Sequence, residues 1–375
     1  MKEPKKYGYI DALRGYAVLM VMFGHTTQLM SFQGIWALLL QKTAMGVQLF
    51  YVVSALTLTM SWNSRQDGTL NFFIRRIFRI GPLFWLAIIF YLMLYGFGER
   101  SAAPKGISWA DVSLTATFTH MLSPNAINSV VPGGWSVATE MSFYLIFPLC
   151  MFMVRGWKSA AVFVIASYYS GKYVSTILGQ FYTNYKYSTD IIEAWKYYIL
   201  PSQISAFAIG ICLYFVIKLL SNRTGRFFAY ATFISAATAT VCAPFLLQYG
   251  GPIAVLTYSF LFALFALSFS TGHFAIITNK WIQKLGVLSF SAYLSHFAVI
   301  HLLKTYGVVD YLTSFGQTIA LTALSISVIA ITVAISYLTH RFIEGPGIQA
   351  GNLLIQRYQE KYFLSRFTAR RGRSI

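Results

Sequence analysis

The charged residues of this chain fall almost entirely between long apolar stretches, and each stretch is about as long as a bilayer is thick. A hydrocarbon core of about 30 Å takes roughly 20 helical residues to cross. Inside it, backbone amides find partners only within a helix or a closed barrel. Ten segments have the required length and apolar character: Tyr9–Met30, Thr43–Trp62, Gly81–Phe97, Trp135–Val154, Ala160–Leu178, Ile199–Leu219, Phe227–Leu247, Pro252–Phe269, Leu285–Thr305 and Gln317–Leu338. The expected fold is therefore all-α, a polytopic transmembrane bundle of about ten helices. With 57% hydrophobic, 17% aromatic and only 11% charged residues, the composition leaves no room for a soluble domain. The first segment is not a cleavable signal, because Asp11 and Arg14 interrupt it and no small-residue cleavage site follows.

A net charge of +18 raises the question of a nucleic-acid partner, and the placement of the charge answers it. With the N-terminus in the cytoplasm, most of the 29 lysines and arginines fall on the inner side, as the positive-inside rule expects. Lys2, Lys5 and Lys6 lead, Arg65, Arg75, Arg76 and Arg79 follow the second segment, and Arg155, Lys158, Lys218, Arg223, Arg226, Lys280 and Lys284 occupy later inner loops. Both termini are thus expected to be cytoplasmic, in a multi-pass protein of the plasma (inner) membrane whose partners are lipids and not nucleic acid. Residues 1–346 make up the membrane domain. Residues 347–375, with Arg357, Lys361, Arg366, Arg370, Arg371 and Arg373 among leucine and aromatic residues, form a basic tail suited to lying on an anionic leaflet. Cys150, Cys212 and Cys242 each sit in an apolar segment without ligand spacing, so neither a disulfide framework nor a metal site is expected.

Within the first segment Arg14 and His25 stand eleven residues apart. At about 100° per residue they point within roughly 20° of each other, about 16 Å apart along the axis, and Asp11 falls in the same sector. An arginine inside a membrane costs at least about 2.5–3.5 kcal/mol unless it faces a polar interior. The expectation is a column of acid, guanidinium and imidazole lining a catalytic or transport path. Arg75, Arg76 and Arg79 precede Gly81 and Pro82, and three planar guanidinium forks within two turns suit phosphate oxygens, although positive-inside topology alone would also place arginines there.

The segment Pro132-Gly133-Gly134-Trp135-Ser136-Val137-Ala138-Thr139-Glu140 opens the fourth helix from the outer face. Ser136 and Glu140 are four apart and share a face. Glu140 could bind acceptor hydroxyls, orient an imidazole, or simply be an acid favoured by the helix dipole. In the second helix, Gly46, Gln48 and Ser54 more often serve close packing than chemistry. In the ninth, Ser289, Ser291, Tyr293, Ser295 and His296 form a polar run in which His296 could line the path, while His301 sits near the interface. Arg341 and Glu344 end the tenth helix at the inner surface, spaced to form a local ion pair or to close the site from below. Two outer stretches, Gly98 to Gly134 and the tyrosine-rich Gly179 to Tyr198, are long enough to shape an acceptor surface.

Taken together, these residues resemble the integral-membrane acyltransferase family 3. The resemblance runs from Tyr9 to about Pro346 and rests on Ile10-Asp11-Ala12-Leu13-Arg14-Gly15, the Arg14 and His25 spacing, Arg75-Arg76-Ile77-Phe78-Arg79-Ile80-Gly81-Pro82, and Gly134-Trp135-Ser136-Val137-Ala138-Thr139-Glu140 followed by Phe143-Tyr144 and Pro148. Gly286-Val287-Leu288-Ser289 running to Tyr293-Leu294-Ser295-His296 fits as well. The resemblance implies a ten-helix O-acyltransferase that takes an acyl group, usually acetyl, from cytoplasmic acetyl-coenzyme A to a hydroxyl of an extracytoplasmic glycan such as O-antigen, capsule or exopolysaccharide. It also implies that Arg14 and His25 form the essential pair, that Arg76 and Arg79 match the donor-binding motif, and that Glu140 is the family's acidic residue. The chain departs from the pattern at Ala55, where a glycine usually follows the serine, and at Tyr51, usually phenylalanine.

The resulting expectation has catalytic His25, Arg14, Asp11 and Glu140, a donor site at Arg75, Arg76 and Arg79, an acceptor site at Trp135, Ser136 and His296, and no metal. His25 would act either as general base or as acyl-carrying nucleophile. The competing class is a transporter or flippase using the Arg14 and His25 column for protons or substrate. Against it stand the arginine trio and a sequence without internal repeats or paired broken helices.

Overall fold

A computed structural model of the chain describes residues 7–32, 39–40, 42–65, 68–100, 103–183, 187–220, 225–246 and 251–371, with side chains to residue 360. Its helices are α1 (Gly8–Thr27), α2 (Gly46–Ser64), α3 (Thr69–Tyr95), α4 (Trp109–Ala116), α5 (Gly134–Met153), α6 (Trp157–Thr183), α7 (Thr189–Tyr198), α8 (Leu200–Leu220), α9 (Arg226–Leu246), α10 (Pro252–Ser270), α11 (Lys280–Val287), α12 (Ser289–Thr305), α13 (Val308–Thr313), α14 (Gln317–Thr339) and α15 (Gly345–Arg371). Among the described residues there is no strand, only an isolated bridge between Arg100 and Ala103. The protein is an all-helical, multi-pass membrane protein. Every one of the ten expected segments contains a long helix. Seven helical stretches are long and apolar enough to cross a membrane, or eight if the bent pair α11 and α12 counts as one span. The expected spans in α1 and α6 fall outside this set. In α1 the reason is the polar trio Asp11, Arg14 and His25.

That trio survives because α1 is surrounded by protein. It packs against α2, α10, α11, α12 and α14, so its polar residues meet other helices and not lipid. The closest crossing is with α11. A Cβ on Gly286 would run into the Asp11 carbonyl, and one on Gly15 into the Ile282 carbonyl. The two glycines therefore let two backbones touch beside Arg14, a small-residue contact that replaces a hydrophobic driving force absent in lipid.

Three expectations about elements are corrected. The third helix does not begin after the arginines but at Thr69, so Arg75, Arg76 and Arg79 lie inside α3 and Pro82 is an interior proline. Arginine is a good helix former, so a basic run need not be a loop. Pro82 leaves the Phe78 carbonyl without its intrahelical donor, and α15 packs against this spot with Gly347 over Phe78 and Pro82. The ninth span is broken: α11 and α12 meet at Leu288 with a 76° bend. The basic tail begins within one helical stretch of 44 residues that runs from Gln317 to Glu360 through a π-turn at His340–Glu344. The outer stretches expected as loops also carry helices, α4 in the first and the end of α6 with α7 in the second.

Candidate active site

Two cavities share a wall of cations. The larger, about 900 Å³, opens at the N-terminal end of α1 and is lined by Asp11, Arg14, Arg65, Arg76, Arg79 and His340 among others. This is the volume range of a site for a drug-sized or cofactor-sized molecule. The smaller, about 80 Å³, lies deeper, between Ser54, Glu140, Tyr144, Ser136 and Tyr293. Arg14, Thr57, Arg76 and Arg79 line both.

Arg14 and Glu140 are held by neighbours, whereas Nε of Arg76 is buried without a hydrogen-bond partner. Arg14 donates to Asp11 Oδ1 at 3.3 Å and to the Thr57 hydroxyl at 3.2 Å. Glu140 Oε1 accepts from Ser54 and from Tyr144, both at 2.5 Å. The guanidinium of Arg76 lies 5.8 Å from the ring centroids of Phe72 and Tyr144. Two hydroxyl donors and three neighbouring guanidiniums supply the partners that a buried carboxylate needs. With Arg14, Arg76 and Arg79 against Asp11 and Glu140, guanidiniums outnumber carboxylates around the shared wall by one, which suits an anionic ligand.

The expected column is split. Arg14 and His25 do share a face of α1, but Val18 and Met22, each fully buried between them, fill it with apolar packing against Ala292, Val299 and Val328. Asp11 and Arg14 belong to the cation-lined cavities, and His25 belongs to a second cluster. There its ring centroid lies 4.5 Å from Phe297 and 5.3 Å from His296 on α12. His296 is completely buried. Tyr293 separates the two regions. Its ring is 6.2 Å from Phe50 and 5.8 Å from His296, while it lines the inner cavity.

The Tyr293 hydroxyl donates to the Gly133 carbonyl at 2.9 Å and accepts from Ser136 at 2.8 Å. Gly133, at φ 75°, begins α5 in a left-handed turn, and a Cβ there would strike Phe297 and the Tyr293 hydroxyl. Only glycine meets both demands. His120, buried in the preceding loop, supports the same turn through a 3.0 Å bond to the Gly134 carbonyl, and burial brings its imidazole down to about 4, so it is neutral and structural.

The remaining expected residues divide. Ser136 and Glu140 share one face and line the inner cavity as anticipated, but Glu140 stands with the arginines and holds Ser54 and Tyr144, not an imidazole. Trp135 turns away and stacks on Tyr198 at 4.5 Å. Arg75 lines an adjoining cavity of about 400 Å³, which shares Ser61, Asn63 and Arg65 with the large one, while Arg76 and Arg79 line the two cavities described above. Arg341 is exposed over the Phe342 ring, and the neighbour of the Glu344 carboxylate is instead His340, whose Nδ1 lies 3.1 Å away, with Ser291 donating to the same carboxylate oxygen. Ala55 does not displace Ser54, because its methyl faces Gly210 of α8. Thr57, Tyr144 and Phe297 complete the two regions and were not anticipated. Tyr144 was within reach of the i, i+4 rule from Glu140.

A family model for an acyltransferase domain matches residues 7–341. Among curated proteins, the acyltransferase MdmB of Streptomyces mycarofaciens is 25% identical over 361 residues, covering 90% of each chain. Nodulation protein 10 of Rhizobium leguminosarum bv. viciae is 26% identical over 182 residues, 44% of this chain and 49% of the relative, so that match spans about half of the relative's length. The exopolysaccharide production protein ExoZ of Rhizobium meliloti is 29% identical over 121 residues, 32% of this chain and 38% of its own. No solved structure matches the chain.

Proposed function

The chain belongs to the integral-membrane acyltransferase family 3 and is an acyl-transferring membrane enzyme, and from that premise we propose that it O-acetylates an extracytoplasmic glycan with acetyl-coenzyme A as donor. The observation that carries this reading is the division of the site into a cation-lined cavity and a histidine cluster that meet at Tyr293. In the proposed orientation both termini face the cytoplasm, in the inner membrane, and the large cavity opens inward.

The donor's phosphates bind Arg76 and Arg79, with Arg14 on the wall between the two cavities, because planar guanidinium forks match phosphate oxygens. Arg14 is fixed by Asp11 and Thr57, and Glu140 balances the charge. The pantetheine arm and acetyl group extend inward past Phe50 and Tyr293, whose displacement opens the way to His25. His25 takes the proton of a sugar hydroxyl as its oxygen attacks the thioester carbonyl. The new C–O bond forms, the C–S bond breaks, and the proton leaves on the thiolate sulfur. A positioned general base of this kind contributes about 10²–10⁴ in rate. ExoZ, by its name, serves exopolysaccharide production, which favours a polysaccharide acceptor here.

The test compares surface and secreted glycans, by mass spectrometry, from cells carrying the intact chain and cells carrying His25→Ala at equal membrane abundance. An acetyl increment on a sugar that vanishes with His25 is the expected result. Acetylation that persists in His25→Ala would remove His25 from the reaction.

A further inference from the structure

His25 and His296 carry complementary vacancies. His296 Nδ1 lies 3.3 Å from the Ala292 carbonyl, which can only accept, so Nδ1 bears the proton and Nε2 is a bare lone pair. That Nε2 is buried without a partner, and so is Nδ1 of His25. A buried polar atom left unpaired is costly, and two such atoms on neighbouring rings point to a bond made in the working state. The ring centroids are 5.3 Å apart. Two imidazoles joined by one N–H···N bond have centroids roughly 5 Å apart. The separation of the two rings, tilted at 60°, matches that spacing, and the bond calls for a reorientation of the His25 ring.

Resting on the reading of His25 as base, we propose that His296 is the positioning residue that sets the His25 tautomer and supports its imidazolium. The chain runs from the Ala292 carbonyl to Nδ1–H of His296, from its Nε2 to Nδ1–H of His25, and leaves Nε2 of His25 free to take the acceptor's proton. This is the part a carboxylate plays in a serine hydrolase triad, performed by a neutral imidazole. Its surroundings call for a neutral group. The rings around the pair are those of Phe297 and Tyr293; Met22, Ala292 and Val299 lie within a turn of one histidine or the other, and Val328 of α14 joins them in one apolar cluster. Tyr293 is the titratable one among them. Glu140 is engaged by Ser54 and Tyr144 beyond Tyr293.

The test measures thiol release from acetyl-coenzyme A by membranes holding the full chain, with the glycan that the mass-spectrometry comparison finds acetylated as acceptor, for His296→Phe, His296→Gln, His296→Met and His25→Ala. His296→Phe should lower kcat about 100-fold and leave KM for acetyl-coenzyme A within about twofold. It should also move the acidic limb of the pH profile to lower pH, because the His25 imidazolium loses its acceptor. His296→Gln, which restores an oxygen acceptor near the Nε2 position, should recover most of the rate. If His296→Phe fails to accumulate, Gln active and Met inactive supports the role, and equal rates for Gln and Met overturn it. Wild-type rate and pH profile in His296→Phe beside an inactive His25→Ala would overturn this inference alone. An active His25→Ala would overturn the reading beneath it.

Discussion

The two halves of the site handle polarity in opposite ways. Around Arg14 and Glu140 the charged groups are paired, with Asp11, Thr57, Ser54 and Tyr144 each supplying a hydrogen bond. Around His25 and His296 the imidazoles sit among phenylalanine, methionine and valine, with nitrogens unpaired. On the proposed reading, the first region holds the charged donor and the second keeps two lone-pair-bearing rings away from solvent while a proton is taken there. The difference then assigns binding and chemistry to different residues on one helix, α1, with Val18 and Met22 as the spacer.

The sharpest way to break that division is to remove charge from the first region alone. The double variant Arg76→Gln with Arg79→Gln should raise KM for acetyl-coenzyme A by about 10- to 100-fold, since a hydrogen bond to a charged group is worth about 1.5–3 kcal/mol. Its kcat at saturating donor should stay within about threefold. Steady-state kinetics on isolated membranes gives both numbers, and an unchanged KM with a collapsed kcat would put the arginines in the chemistry. A smaller effect should follow from the scaffold that both regions hang on. Gly286→Ala forces a methyl into the Asp11 carbonyl and should destabilise the protein by about 1–3 kcal/mol, seen as a lower unfolding temperature with donor affinity and rate reduced together. Gly98→Ala, where a Cβ meets nothing, is the matched control.

Much of this was legible in the sequence because it depended on angle and length. The ten apolar segments all contain helices, and the eleven-residue spacing does put Arg14 and His25 on one face. What lay beyond reach was set by other helices. Nothing local says that Val18 and Met22 close the column, since an apolar residue facing a neighbour and one facing a cavity look alike. Arg75 parts from Arg76 because a helix continues through the arginines and turns successive side chains by about 100°. The bend at Leu288 falls in a run whose composition suits one straight span. Glu140 finds Ser54 across 86 positions of chain, and only Tyr144, four residues on, was within the range of a helical rule.

The most direct test is equilibrium binding of acetyl-coenzyme A to the purified full chain, by calorimetry, for wild type, His25→Ala and the Arg76→Gln, Arg79→Gln double variant. If the two regions divide the work as argued, His25→Ala binds donor within about twofold of wild type while transferring nothing, and the double variant loses affinity by at least about tenfold. Loss of donor affinity in His25→Ala equal to that of the arginine variant would show that binding and chemistry are one site.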